Sequence, residues 1–202
     1  MSYSDFNLQG IKQAFNLKTF EKVDIFADSP EKDCSPLLTE ILAYNVPIAT
    51  ASNSEKARSE MIISPILIDL RRQFKEQINL FSGVDFSVDI ESGLNGICDF
   101  IISHSPEVLV ITAPVIIIIE AKKENIHAGL GQCIAEMVAA RIFNQNQGNE
   151  IAVIYGAVTS GTNWKFLKLE NQIISIDLTE YYLRDIKKIM GILASAITNF
   201  TS

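Results

Sequence analysis

Residues 84–91 alternate strictly. Val84, Phe86, Val88 and Ile90 are apolar, and Asp85, Ser87, Asp89 and Glu91 are polar. Successive side chains on a strand point to opposite faces, so this spacing predicts a strand with one wet face. Gly93, Asn95 and Gly96 then make a turn. Two more strands are expected at residues 97–103 and 114–122, with residues 105–113 a loop or further pairing. Upstream, Ala57, Met61, Ile62, Ile66, Leu70, Phe74 and Ile78 recur at helical spacing, and Ser52 with Glu55 reads as a capping box. Pro65 must kink that helix or divide it.

Downstream, residues 132–143 read as a helix with Ile134, Met137, Val138 and Ile142 on one side. Residues 151–158 are almost continuously apolar, as in a strand covered on both faces. A hairpin at 164–169 and 173–177 follows, and an amphipathic helix is expected at 179–200. The first fifty residues read as a preface: a short helix through Leu8, Ile11, Phe15 and Leu17, a polar break, and a second helix from Pro36 to Pro47. The chain therefore divides into a helical extension, residues 1–51, and a domain over residues 52–202. Its order of helix, three strands, helix, strand, hairpin and helix gives an α/β (α+β) fold, a mixed central sheet flanked by helices.

Composition narrows this little. Of 202 residues, 48% are apolar and 20% charged, enough for a substantial core. The most apolar stretch, residues 108–119, is interrupted by Thr112 and Pro114 and is shorter than the ~20 residues of a spanning helix, so it reads as buried strand. With no apolar segment near Met1, a cytoplasmic protein without a membrane partner is expected. Cys34, Cys98 and Cys133 are too widely spaced for a structural zinc site and read as reduced thiols. The net charge of −7 and pI near 4.9 count against non-specific coating of DNA.

The chemistry is expected at two strand ends. Glu120 and Lys122 lie two apart, so they share the face that carries Ile116 and Ile118. Asp99 interrupts the apolar run Ile97-Cys98-Asp99-Phe100-Ile101-Ile102. Buried charges need a partner or a cation. Two neighbouring carboxylates repel unless protonated or bridged, and a hard ion with oxygen ligands, Mg²⁺ or Mn²⁺, would bridge them. A purely structural Asp–Lys or Glu–Lys pair is the other reading.

Gly96-Ile97-Cys98-Asp99, followed by Ile119-Glu120-Ala121-Lys122-Lys123, resembles the D…(E)xK signature of the PD-(D/E)XK nuclease superfamily, and the element order over residues 52–160 is similar to its restriction-endonuclease-like core. The hairpin Trp164-Lys165-Phe166, after Val158-Thr159-Ser160-Gly161, resembles the end of restriction-subunit nuclease modules. The resemblance implies a Mg²⁺-dependent nuclease hydrolysing phosphodiester bonds of DNA. It makes Asp99, Glu120 and the Ala121 carbonyl metal ligands, and Lys122 the catalytic lysine positioning the attacking water. Glu60 matches an optional acid from the first core helix, and Gln132 an optional catalytic glutamine. Surface or helix-start roles remain open for both. The proline that names the family is replaced by Cys98. A homodimer or a partner subunit would fit so bare a catalytic core, and a non-catalytic nucleic-acid or protein-binding module is the alternative.

Other residues persuade less. Glu136, four residues after Gln132, reads as an exposed acid. His104 and His127 lie in expected loops without a nucleophile partner. Gly129-Leu130-Gly131 lacks the rest of a dinucleotide fingerprint. Arg71-Arg72 and Lys187-Lys188 read as solvated basic pairs.

Overall fold

The chain is described here from a computed structural model, over residues 1–75 and 77–200. The centre is β4 (Val115–Ala121), buried along its whole length. It pairs antiparallel with β3 (Ile97–Ser103) and parallel with β5 (Val153–Thr159). β3 pairs antiparallel with β2 (Asn79–Asp85), which ends the sheet on that side. On the other side β5 is followed by β6 (Asn163–Glu170), β7 (Ile173–Asp177) and β1 (Lys18–Lys22). A short β8 (Tyr181–Tyr182) pairs with β6, completing an eight-stranded mixed sheet.

Helices cover both faces, so central strands carry isoleucine and valine on either side rather than alternating with polar residues. On one face, α5 (Leu130–Asn146) sets Ile134, Met137 and Val138 against Ile101, Ile118 and Val158. On the other, Ile66, Leu67 and Leu70 of α4 (Ser64–Gln73) and Ile189 and Leu193 of α6 (Ile186–Thr198) meet Phe100, Ile102, Ile117 and Ile119.

Residues 1–52 contribute to both cores. Tyr3, Phe6 and Ile11, the last from α1 (Leu8–Ala14), are buried in the cluster around α5. Leu38 and Ala49 of α2 (Pro36–Ser52) are buried in the other. β1 has no apolar pattern; its lysines and glutamate suit an open sheet edge, where charge discourages further pairing.

The expected helix across Pro65 is a continuous rod. α3 (Glu55–Arg58) leads into a wider π turn, Ser59–Ile63, and then into α4. Pro65 falls in the first turn of α4, where a missing N–H is tolerated. The carbonyl four residues earlier, on Met61, accepts instead from Asn45 Nδ2 at 2.9 Å. The rod stops at Gln73, short of Ile78, because Asn79–Asp85 is drawn into pairing with β3. Ser54 caps α3, in place of the expected Ser52, which ends α2. Pro47 does not stop α2, which runs on to Ser52 with Ala49 buried in the core beyond the proline.

The alternating segment from Val84 is mostly an extension beyond β2, held by Phe86 N–H on Gly96 O and Val88 N–H on Leu94 O, both at 2.9 Å. The apolar run 108–119 is split. Val108, Leu109 and Val110 form an exposed loop, and only the second half is buried strand. The closing helix is shorter than expected because Tyr181 and Tyr182 pair with Trp164 and Asn163. Among the described residues no helix is long and apolar enough to cross a membrane.

Candidate active site

The C-terminal end of β4 carries the charged groups. Glu120 occupies a position that continues the buried isoleucine face and is 1% exposed. Lys122 projects to the same side, and its ammonium donates to Glu120 Oε1 in a direct ion pair. Its backbone N–H donates to Thr159 O at 2.8 Å, which extends the β4–β5 pairing past Ala121. The turn before α5 packs tightly here: a Cβ on Gly129 would lie 2.7 Å from Val158 Cγ1 and 3.1 Å from Lys122 Cγ and Cε.

The β3–β4 register runs to Phe100 opposite Ile119, and one further step sets Asp99 opposite Glu120. Asp99 Oδ2 accepts from the Ala121 N–H at 2.8 Å, which fixes that carboxylate over the strand end. Asp99 and Ala121 also line a cleft of about 250 Å³, together with Glu55 and Glu60 from the helical rod. Glu60 is exposed there and pairs with Lys56 at 3.2 Å.

α5 brings Gln132 to Lys122 at the same strand end. Gln132 Oε1 accepts from Lys122 Nζ at 3.1 Å, and Gln132 Nε2 donates to Glu136 Oε1 at 3.1 Å. Asp99, Glu120, Lys122 and Gln132 are thus gathered at one place, with Glu60 at the outer rim of the cleft. The expectation that Glu136 is exposed is overturned: it is fully buried. α5 turns it inward, toward Glu120, Asp99 and Cys98 at the end of the sheet. On another face of α5, Phe6 and Asn7 pass so close that a Cβ on Gly131 would meet the Phe6 carbonyl at 2.3 Å. That contact accounts for Gly131, as the crowding by Val158 and Lys122 accounts for Gly129. Glu55, read only as a cap, contributes negative charge near Lys122.

Burial dominates the electrostatics. It pushes the Glu120 carboxyl up to about 8, with the charge of Asp99 adding to the rise and Lys122 opposing it. Burial drives Glu136 well above the usual carboxylate range, and Glu120 adds to that. For Lys122 burial works to lower the value, but the ion pair with Glu120 outweighs it and the ammonium is favoured. One partner of the pair is therefore held toward its charged form and the other toward its neutral form. Glu120 Oε2 and Glu136 Oε2 are buried without a hydrogen-bond partner.

Among the described residues no three His, Cys, Asp or Glu side chains are grouped as a ready cation cluster. The set at the strand end is smaller: two carboxylates, one with an unpaired buried oxygen, beside the Ala121 backbone. It fits a hard divalent ion that takes part of its shell from water or phosphate, as Mg²⁺ does.

The remaining candidates serve packing. His104 lies on the Phe200 ring at 4.8 Å, and His127 is 3.6 Å from Glu180. Arg71 bonds Asn79, Lys187 pairs with Asp33, and Lys188 donates to the carbonyls of Ala27 and Ser29. Trp164 Nε1 donates to Gly161 O, and buried Lys165 donates to the carbonyls of Asp177 and Leu178. Cys98 and Cys133 are buried free thiols, and Cys34 is a partly buried one.

Comparison of the chain with protein-family models, curated proteins and solved structures finds no match.

Proposed function

We propose that the protein is a metal-dependent nuclease of the PD-(D/E)XK type, hydrolysing phosphodiester bonds of DNA. One observation carries the reading: Glu120 is buried with an unpaired oxygen, tied to Lys122 and set beside Asp99. A structural ion pair alone does not account for it. Removing a carboxylate from water is costly, and a second acid beside it raises the cost. A divalent cation offsets both.

The element order supports the same reading. A helical rod, three antiparallel strands, a helix and a strand parallel to the third follow the sequence of a restriction-endonuclease-like core. In this reading Asp99, Glu120 and the Ala121 carbonyl would hold Mg²⁺ or Mn²⁺, with Glu60 as a further acid that the ion could recruit. The ion supplies Lewis acidity and eases deprotonation of water. Lys122 and Gln132 orient the attacking water, and the ammonium offsets charge gathering on the phosphate. A second copy or a partner subunit would add the DNA-binding area that a chain of net charge −7 lacks. That acidity favours the second reading, a non-catalytic nucleic-acid or protein-binding module on the same fold.

Supercoiled plasmid incubated with the protein and Mg²⁺ or Mn²⁺ separates the two. The expected result is nicking or linearisation that EDTA and Glu120→Ala both abolish, with the variant still folded. No cleavage, together with no Mn²⁺ binding by calorimetry, would overturn the nuclease reading in favour of the module.

A further inference from the structure

Glu136 has no part in the chemistry described so far, yet it is fully buried next to it. Gln132 and Glu136 lie one turn apart on α5, and helical side chains lean toward the helix N-terminus, so the Glu136 carboxyl is directed at the Gln132 amide. Among the described residues, that amide is the hydrogen-bond partner of the carboxyl, at 3.1 Å, and the second carboxyl oxygen has none. No lysine or arginine forms an ion pair with it among those residues. A buried acid satisfied by one neutral amide is a net cost to folding, which is the sort of cost found where a side chain must be held in one orientation.

An amide has an accepting end and a donating end, whereas an ammonium only donates. Lys122 therefore requires the Gln132 oxygen, and this leaves the Gln132 nitrogen to donate to Glu136 Oε1. Turned round, the amide would set N–H groups against the ammonium and its oxygen against the carboxyl.

We propose that Glu136 is a positioning residue that locks the Gln132 amide with its oxygen toward Lys122. The ammonium is then held between two acceptors, Glu120 Oε1 and Gln132 Oε1, instead of following Glu120 alone. This deepens the nuclease reading and rests on it for its catalytic consequence. The geometry of the amide itself stands apart from that reading.

The test uses Glu136→Leu, Glu136→Gln, Gln132→Leu and the Glu136→Leu/Gln132→Leu double variant. Glu136→Leu fills the same space without a polar atom, and its melting temperature reports folding. Loss of a side chain that orients a catalytic group typically costs ~10–100-fold, and a fall of that size in kcat, with KM for DNA unchanged, is expected for Glu136→Leu. Glu136→Gln keeps an accepting oxygen and should cut close to the wild-type rate. The double variant should cut no more slowly than Gln132→Leu alone, because Glu136 acts through Gln132. Losses that multiply, or a Glu136→Gln variant as slow as Glu136→Leu, would overturn the proposal. A second readout needs no activity: the NMR side-chain amide pair of Gln132 in ¹⁵N-labelled protein. It should be shifted and well resolved in the wild type and in Glu136→Gln, and averaged in Glu136→Leu. If the wild type neither cuts nor binds Mn²⁺, the nuclease reading falls; wherever cleavage is absent this readout decides alone, and a Gln132 pair unchanged in Glu136→Leu would then overturn the positioning role.

Discussion

At the scale of residues, Glu120 is the group most at odds with its surroundings. Burial pushes its carboxyl from the ordinary 4.5 up to about 8, so the folded chain binds the proton more tightly than the unfolded chain does. Its contribution to stability is complete below pH ~4.5 and is lost as pH rises toward ~8. The metal-free protein should therefore be less stable toward urea at pH 9 than at pH 5. Glu120→Gln should lose less over that interval, by a margin on the order of a few kcal/mol. Mn²⁺, which favours the ionised form, should restore part of the wild-type loss at pH 9. Equal pH dependence in the two proteins would mean that Glu120 is not the group responsible. Period-two spacing made Glu120 and Lys122 legible in the sequence, and the apolar run made Asp99 so. Glu136 was not legible, because an acid on a helix is ordinarily solvated, and only the packing of α5 on the sheet turns this one toward Glu120 and Asp99.

At the scale of elements, the site depends on how the turn before α5 seats against the end of β4. Gly129 leaves no room for a methyl group beside Val158 and Lys122. Gly129→Ala should move the Lys122 stem while the core persists. A misplacement of about 1 Å can cost roughly 100-fold in rate, so cleavage should fall at least ~10-fold with the far-ultraviolet dichroism retained. Wild-type cleavage by this variant would show that the stem has slack. The buried middle strands were readable from their apolar runs, Phe100-Ile101-Ile102 in β3 and Val115 through Ile119 in β4. The sheet's margins were not. β1 and β8 are short, polar or aromatic, and exist because a neighbouring strand offers an unpaired edge. The rod through Pro65 was also beyond local reasoning, because the carbonyl that loses its helical donor is served by a side chain from α2.

At the scale of the whole molecule, residues 1–17 act as a wall of the core around α5. Tyr3, Phe6, Ile11 and Leu17 are buried there. Deleting residues 1–17 would uncover the face of α5 at Gly131 and remove several large apolar contacts, each worth ~1.5–3 kcal/mol on full burial. The shortened chain is expected to lose cooperative thermal unfolding, checked by calorimetry, and a sharp transition at the full-length temperature would overturn this. The mixed sheet flanked by helices was legible as a class from the order of periodic segments. The eight-strand order was not, because it rests on pairings between distant parts of the chain.

The pairing of β1 with β7 bears on how the protein is made. Lys18 lies beside Ile173, and Lys22 beside Asp177. A ribosome adds ~5–20 residues per second, so the first strand waits many seconds in the cell for its neighbour while α1 waits for α5. During that interval Phe6, Ile11 and Leu17 face water, where a nascent-chain chaperone would find them. The sheet is closed late in synthesis, by the strand that was made first.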